Sequence, residues 1–348
     1  MKKKILTILM CGVIFLGITG CGKEKIADTY ELNIINDKII EYFEKNGSIK
    51  YDNYSYNYVD LENGFVIVGL LDNSKEQQEW FKKNIVNSKY IKFEQAKPLI
   101  NNEVGVSEKL ENIDDEHICC AIGDKKHQSG VDRKKEWIKS KFKDGHVFRK
   151  LNARGKIFIE YEPLETAWVP IIGKNYEYIY CLWVAGSFKG KGIGKELLEY
   201  AINDSKKRSK SGICTLVSKK KKPFIGDKKF FEHYGFKVVD SIGDYVLLAL
   251  KFEESETPKF NDSARMMKID SQDFTIYYSN ECPYVEYEVN ELTDYAKNNN
   301  IKINFVKIDS LDKAKNAPCV FNNWANFYKG EFISNTILNA NSFEKLIK

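Results

Sequence analysis

The fold of this 348-residue chain is decided by the stretch Val184-Ala185-Gly186-Ser187-Phe188-Lys189-Gly190-Lys191-Gly192-Ile193-Gly194-Lys195-Glu196-Leu197-Leu198. An apolar run typical of a strand ends at Val184, glycines follow at alternate positions, and a helical pattern begins at once. The first N–H groups of a helix have no backbone partner, and the helix dipole favours an anion beside them. Since Lys189, Lys191 and Lys195 add positive charge, the stretch predicts a binding loop for pyrophosphate or a similar anion.

Two other phosphate-binding loops fit this stretch less well. A Walker A loop has four residues between its first glycine and Gly-Lys-Ser/Thr, and that spacing is missing here. A dinucleotide loop needs Gly-x-Gly-x-x-Gly and a later acidic residue after a strand, and the stretch provides neither.

The stretch resembles the acyl-CoA-binding motif of the GNAT N-acetyltransferase superfamily, Arg/Gln-x-x-Gly-x-Gly/Ala. Lys189, Gly192 and Gly194 occupy its defining positions, and the lysine keeps the charge of the usual arginine. The stretch from Phe230 to Phe236 is similar to the closing helix of that superfamily, and a predicted strand lies between the two. The resemblance implies a mixed α/β acyl-CoA N-acyltransferase fold that uses acetyl-CoA as co-substrate and no metal.

The same resemblance implies where acetyl-CoA binds. Members of the superfamily hold it in a fork between two central strands, one of which offers backbone groups to the pantetheine. The residues that the resemblance implies in contact with acetyl-CoA are Leu182, Trp183, Val184, Lys189, Gly190, Lys191, Gly192, Ile193, Gly194 and Lys195.

Three side chains are candidates for proton transfer. Many members of the superfamily have a general-acid tyrosine where this chain has Phe231, so Tyr234, three positions later, is the substitute candidate. Glu160 and Glu162 are candidates for the base, and strand alternation predicts that they share one face. The alternatives are a core position for Tyr234 and a solvated surface position for the two glutamates.

The N-terminus has the pattern of a targeting signal. Lys2-Lys3-Lys4 precede an apolar run from Ile5 to Ile18, which is shorter than the roughly 20 residues that span a bilayer. The run ends in Ile18-Thr19-Gly20-Cys21, which resembles a bacterial lipobox. This resemblance implies cleavage before Cys21 and a lipid anchor on the extracytoplasmic face of the cell membrane. The alternatives are an uncleaved signal anchor, and a cytoplasmic protein if the signal is inefficient, because acetyl-CoA is a cytoplasmic metabolite.

Composition limits the classes of function. The chain carries five net positive charges, three of which come from Lys2, Lys3 and Lys4, so the remainder is close to neutral. A chain built to bind nucleic acid is strongly basic, and that class is therefore excluded. Eight cysteines are too few for a fold framed by disulfides.

Residues from Glu116 to about Lys348 resemble a GNAT module joined to a YoaP-type C-terminal domain, and that C-terminal domain resembles a thioredoxin-like fold. The stretches that suggest this are Glu116–Ile122, Cys181–Val184 and Ser218–Phe224. Cys282 stands between a strand predicted over Phe274–Tyr278 and a helix predicted over Val285–Asn298, where the thioredoxin-like fold places Cys-x-x-Cys. The resemblance implies that Cys319 lies near it, and we predict that the two can form a disulfide. The alternative is a thioredoxin-like domain without redox function that serves as a wall beside the substrate or as a docking module.

Together these patterns predict five segments: a lipoprotein signal peptide at 1–20, a small α/β domain with a linker at 21–106, a GNAT domain at 107–255, a linker at 256–267 and a thioredoxin-like domain at 268–348. The expected function is transfer of an acetyl group from acetyl-CoA to a primary amine of a small molecule or peptide. The alternative is a membrane-anchored lipoprotein whose GNAT-like domain binds without catalysis.

Overall fold

The computed structural model describes residues 29–46, 53–60, 63–96, 106–107, 113–114, 117–118, 121, 124–151, 153, 155–321 and 323–347. The predicted signal peptide and Cys21 lie outside these residues. Among the residues described, no helix is both long enough and apolar enough to cross a bilayer.

The N-terminal unit is a small sheet with helices packed on one face. Its elements are α1 (Thr29–Asn46), β1 (Tyr54–Asp60), β2 (Phe65–Leu70), α2 (Lys75–Asn84) and β3 (Ile91–Gln95). Strand β2 lies in the middle, antiparallel to β1 and parallel to β3. The alternate residues Val66 and Val68 pack against Leu32, Ile39 and Phe81 of the helices. Strand β1 is missing from the sequence prediction.

The central unit is a twisted sheet with helices on both faces, in agreement with the predicted mixed α/β class. Its elements are β4 (Val106–Ser107), α3 (Gln128–Lys141), β5 (Val147–Lys150), β6 (Ile157–Pro163), β7 (Ile171–Ile172), β8 (Tyr176–Val184), α4 (Ile193–Lys207), β9 (Gly212–Ser218), β10 (Gly226–Asp227), α5 (Lys228–His233), β11 (Lys237–Ile242) and β12 (Tyr245–Lys251). The strand order is β11-β12-β9-β8-β6-β5-β4, and β10 pairs with β9.

Strand alternation divides this sheet into two faces. In β6, Ile159 and Tyr161 face α4 and join a core with Leu197 and Leu198 of that helix. Phe158 points to the opposite face of the sheet, where it joins a second core with Trp137 of α3. We call these the α4 face and the α3 face of the sheet.

The segment predicted as a linker, 256–267, is packed against the central unit and is not an extended connector. It contains β13 (Lys259–Phe260), which pairs with β7, and α6 (Asp262–Met266). Phe260 and Ala264 are fully buried. The linker prediction rested on Pro258 and the polar residues around it. Burial of the apolar side chains of Phe260 and Ala264 favours packing of this segment despite those residues.

The C-terminal unit is a second, smaller sheet with helices. Its elements are β14 (Phe274–Tyr278), α7 (Val285–Asn298), β15 (Ile303–Lys307), α8 (Leu311–Lys315), β16 (Trp324–Tyr328), β17 (Glu331–Ser334) and α9 (Ala340–Ile347). The strand order is β15-β14-β16-β17, with β14 parallel to β15 and antiparallel to β16. Helices α7 and α9 pack on one face through Leu292 and Phe343, and the predicted bounds of β14 and α7 are confirmed.

Among the contacts that join the C-terminal unit to the central unit in the described residues, two bring backbone atoms of one unit against the other. At the first, α3 passes so close to the turn before α7 that a Cβ atom at Gly130 would lie 1.9 Å from the carbonyl oxygen of Pro283. At the second, the ammonium group of Lys315 donates to the carbonyl oxygens of Leu164 at 2.6 Å and Ile171 at 3.0 Å. Burial lowers the pKa of Lys315 to about 8, so this docking contact places a lysine in a largely dry interface.

Gly130→Ala is expected to destabilise the protein by about 1–3 kcal/mol, because the new methyl group meets backbone atoms that cannot move aside. Alanine is the better helix former, so propensity alone predicts the opposite sign. The change is measured by urea unfolding followed by tryptophan fluorescence. Ser129→Ala, at the exposed neighbouring position of α3, is the control, and equal destabilisation of both variants would contradict the prediction.

Candidate functional site

The glycine loop that joins β8 to α4 is open at its surface. Gly186, Gly190 and Gly192 have φ angles of 61°, 74° and 81°, which side chains with a Cβ rarely adopt. Among the described atoms, nothing lies within 4 Å of the place that a Cβ would take at any of the three. Gly192 is the N-cap of α4, and no side-chain hydrogen bond caps it. The first N–H groups of α4 are therefore directed at a loop surface that an anion can approach.

A fork opens between β8 and β9 next to this loop. The two strands are paired in parallel only over Tyr176–Ile179 and Gly212–Thr215. Beyond these residues β8 continues to Val184 without β9 as its neighbour, while β10 pairs with Val217 and Ser218 of β9. The backbone of β8 from Tyr180 to Val184 thus has one edge that can pair with a ligand.

The residues predicted to contact acetyl-CoA line this fork and loop. Leu182 and Val184 lie on the α4 face, and Trp183 points the other way with 46% of its surface exposed. The ring of Phe230 lies 3.6 Å from the Cβ position of Gly194, so α5 forms a wall opposite the start of α4. The remaining predicted residues follow directly along the loop: Lys189, Gly190, Lys191, Gly192, Ile193 and Lys195.

Lys191 makes a contact that the sequence did not predict. Its ammonium group donates to the carbonyl oxygen of Ser55 at 2.8 Å and lies 4.9 Å from the centre of the Tyr54 ring. Burial lowers the pKa of Lys191 to about 8. The N-terminal unit, through β1, therefore holds one of the three lysines of the anion loop.

A β-bulge alters the direction of side chains where the fork begins. Between β6 and β8, Glu160 is opposite Cys181 but the next residue, Tyr161, is opposite Ile179. The extra residue is Tyr180, and both Tyr180 and Cys181 contact the core on the α3 face. The Tyr180 hydroxyl accepts a hydrogen bond from the N–H of Trp168 at 2.7 Å, and burial raises its pKa, so that its own proton stays in place.

Behind the bulge, the α3 face holds a buried ion network. His146 bridges the two glutamates of β6, with Nε2 at 3.1 Å from Glu160 and Nδ1 at 2.7 Å from Glu162. Lys134 of α3 donates to Glu160, and Lys141 of α3 lies 3.1 Å from Glu162. The two carboxylates are 2% and 0% exposed, so the alternative of solvated surface glutamates is wrong, while their predicted placement on one face is confirmed.

Hydrogen bonds within the network outweigh the cost of burial. Burial disfavours the charged form of His146, but the two carboxylates outweigh it and raise the pKa. Burial disfavours the carboxylate of Glu160 as well, but Lys134 and His146 lower its pKa overall. Glu160 is thereby held ionised and committed to two buried partners, which suits a structural anion better than a proton acceptor.

An open cleft of about 230 Å³ lies between the central and C-terminal units on the α3 side. The rings of Trp137 and Trp168, 6.0 Å apart, form one wall. The other lining residues are Arg133, Glu136, Asn280, Lys307, Ile308 and Asp309. Because Trp137 also lies 5.6 Å from the ring of Tyr180, the cleft adjoins the bulge.

Comparison with known proteins identifies the family. A family model of the GNAT acetyltransferase domain matches residues 153–238, and a YoaP-like model matches residues 302–345. The uncharacterized N-acetyltransferase YoaP of Bacillus subtilis (strain 168) is 37% identical over 239 residues, which are 68% of this chain and 95% of that protein. The chain belongs to the YoaP family of GNAT acetyltransferases. Residues 30–96 match a model described as a Pro-like C-terminal domain.

Solved N-acetyltransferase structures are similar to part of this chain. The PaiA N-acetyltransferase from Thermoplasma acidophilum, in complex with coenzyme A, is 19% identical, covers 42% of this chain and 99% of its own, and has a TM-score of 0.30. A GNAT family acetyltransferase from Elizabethkingia anophelis with acetyl-CoA bound is 18% identical and has a TM-score of 0.26. The match covers 34% of this chain and 82% of that protein. The family assignment rests on the family models and on the Bacillus subtilis relative.

The structure does not bring the three predicted catalytic side chains of this GNAT domain together. Tyr234 is half-buried on the α4 face, with its ring 5.0 Å from that of Phe230. Glu160 and Glu162 are buried on the α3 face, on the other side of the sheet. The reason is that Phe231 of α5 is buried in the core of the α4 face. This holds α5, and Tyr234 directly after it, on that face of the sheet.

The predicted disulfide between Cys282 and Cys319 is not formed. Within the described residues both are buried thiols that are not joined in a disulfide. Cys282 packs with Ile276 of β14 on the α7 side of the C-terminal sheet, whereas Cys319 packs with Phe327 and contacts Tyr277, which alternates to the other side. Burial raises the pKa of Cys319 to about 12, so this thiol is not activated as a nucleophile.

Glu160→Gln is expected to destabilise the protein by about 3–5 kcal/mol, because it removes the negative partner of two buried cations, Lys134 and His146. The free energy of unfolding in urea measures the effect. Glu199→Gln breaks an exposed pair with Lys195 and is expected to cost about 1 kcal/mol or less. Similar values for the two variants would contradict a buried network.

Proposed function

We propose that the chain is an N-acetyltransferase that moves the acetyl group of acetyl-CoA to a primary amine of a small molecule or peptide. The observation that carries the proposal is the open glycine loop at the N-terminus of α4, placed beside the fork of β8 and β9. Solved relatives with this fold contain acetyl-CoA or coenzyme A. The identity of the amine is open.

In this proposal the glycine loop binds the pyrophosphate of acetyl-CoA, and the fork binds its pantetheine. The N–H groups at the start of α4 bind the pyrophosphate, and Lys189 beside them adds charge. The pantetheine pairs with β8 between Tyr180 and Val184, along the edge that is no longer paired with β9, as a strand would. This places the thioester at the bulge, where β8 and β9 separate.

The chemistry is a direct attack that depends on orientation. A deprotonated amine nitrogen attacks the thioester carbon, the C–N bond forms, the C–S bond breaks, and the thiolate of CoA takes up the second nitrogen proton. Tyr234, next to Phe230 on the wall facing the loop, is proposed to relay that proton: its hydroxyl donates a proton to the thiolate and takes the second nitrogen proton in return. The role of Tyr234 as the acid stays a prediction.

Acetyl-CoA is expected to bind the purified full chain, and Gly192→Asp is expected to weaken binding about 100-fold or more, as measured by calorimetry. An aspartate there places a negative charge and a Cβ where the pyrophosphate would lie, at a φ of 81°. Gly243→Asp is the matched control: it adds the same charge at a positive φ of 57° with open space around it, in the turn between β11 and β12. Equal loss in both variants, or no binding by the folded wild type, would contradict the proposed site and favour the non-catalytic binding module.

The location of the protein is a separate proposal. We propose that the lipobox ending in Cys21 directs cleavage and lipid attachment, so that the enzyme is tethered to the outer face of the cell membrane. Labelled palmitate is expected to be incorporated into the wild type expressed in a Gram-positive host, and Cys21→Ala is expected to abolish labelling. Cys11→Ala, ten residues earlier in the apolar run, is the control. Equal labelling of the wild type and Cys21→Ala would reject the anchor.

A further inference from the structure

The turn before α7 carries a carboxyl group of the C-terminal unit into the central unit. Glu281 stands in this turn, two residues before Pro283, whose carbonyl oxygen lies against Gly130 of α3. Lys134 lies one helical turn after Gly130, and its ammonium group donates to Glu160 in the ion network. The close approach at Gly130 thus places Glu281 on the α3 face of the GNAT sheet.

Glu281 is buried, and one of its carboxyl oxygens makes no hydrogen bond among the described residues. It is 7% exposed, and its Oε1 has no hydrogen-bond partner among the described residues. The charged and titratable groups that face it are Lys134 from α3, Glu160 and Glu162 from β6, and Tyr178 and Tyr180 from β8. Burial raises the pKa of Glu281 to about 8; Lys134 opposes the rise, and the two glutamates add to it.

The interdomain cleft lies beside the turn that carries this carboxyl group. Asn280, the residue before Glu281, lines the cleft, and the opposite wall is formed by Trp137 and Trp168. Both tryptophans also contact Tyr180 at the start of the fork, through the ring of Trp137 and the N–H of Trp168. The aromatic faces suit a ligand with an ammonium group, and the charged residues that line the cleft are balanced, with Glu136 and Asp309 against Arg133 and Lys307.

We propose that Glu281 is the general base of the acetyl transfer, and that the acceptor ammonium reaches it through the interdomain cleft. This rests on the proposed function. The carboxylate of Glu281 takes one proton from the ammonium group, and the neutral amine that results attacks the thioester carbon. The proton held on Glu281 passes to solvent at the end of the cycle, while the second nitrogen proton leaves with the CoA thiol.

Glu281 suits this role better than the two glutamates of β6. Glu160 and Glu162 are ion-paired with His146, Lys134 and Lys141, although Oε1 of Glu162, 3.1 Å from the ammonium group of Lys141, makes no hydrogen bond. A base must accept a proton at the working pH and release it again, which favours a carboxyl group that titrates near neutrality and has an unpaired oxygen. The C-terminal unit therefore completes the site of the GNAT domain.

The test compares wild type, Glu281→Gln and Glu281→Asp as full chains. Each is assayed for acetylation of spermidine, lysine, an aminoglycoside and a peptide with a free amino terminus, with products identified by mass spectrometry. In the wild type, kcat/KM for the best acceptor is expected to rise with pH up to about 8 and then level off, because the base is active when ionised. Glu281→Gln is expected to lower kcat/KM about 100-fold at pH 8 and to move the rise to the pKa of the amine itself.

Two controls make the outcomes decisive. Acetyl-CoA affinity of both variants is expected to equal that of the wild type, and Glu281→Asp is expected to retain the pH profile in part. Glu291→Gln, an exposed carboxyl of α7, is expected to leave kcat/KM unchanged. Unchanged kcat/KM and pH profile in Glu281→Gln, or loss of acetyl-CoA binding along with activity, would overturn the base. A wild type that acetylates none of the four amines would reject the proposed function itself, and the base with it.

Discussion

The parallel pairing of β8 and β9 ends after Ile179 and Thr215, and the organisation of the site follows from this separation. Two strands that stay paired leave no backbone edge for a ligand, whereas strands that diverge expose one. The glycine loop begins at the end of β8, so the start of α4 and the edge of β8 that is no longer paired with β9 lie at the same end of the sheet. The bulge at Tyr180 then turns two consecutive side chains toward the α3 face at the place where the fork opens.

The ion network explains how the sheet tolerates this separation. Helix α3 is tied to β6 through Lys134 and Lys141, and His146 joins the two glutamates between them. A network of this kind adds little net stability over an apolar core, but it fixes one arrangement because each group needs its partners. The strand next to the fork is therefore held from the α3 face, while the α4 face is packed by Leu197 and Leu198.

The sequence predicted those parts of the fold that depend on local patterns. The bounds of β8, β14 and α7 were predicted as the structure has them, because apolar runs and a glycine or cysteine turn mark their ends. The burial of Glu160 and Glu162 could not be predicted in this way, since it depends on lysines of α3 some twenty residues earlier. A signal was present: Lys134 and Lys141 are seven residues apart and share the helix face of Trp137 and Ile138, which is unusual for solvated lysines.

The misplacements in the predicted site have a common physical cause. Cys282 and Cys319 were expected to lie close together because of their positions along the chain, and such positions do not specify the face of a sheet. A shift of one residue in a strand transfers a side chain to the other face, as Tyr277 and Ile276 illustrate on either side of the C-terminal sheet.

Glu281 could not be predicted as a site residue from the sequence. It has no motif of its own, and it reaches the central unit only because Gly130, about 150 residues earlier, leaves room for the turn that carries it. A small residue in a helix usually weakens the helix, so its presence at this contact indicates that close approach of the two units matters more than helix stability. The proposed role of Glu281 requires this packing of the C-terminal unit against α3, because the turn before α7 brings the carboxyl group to Lys134.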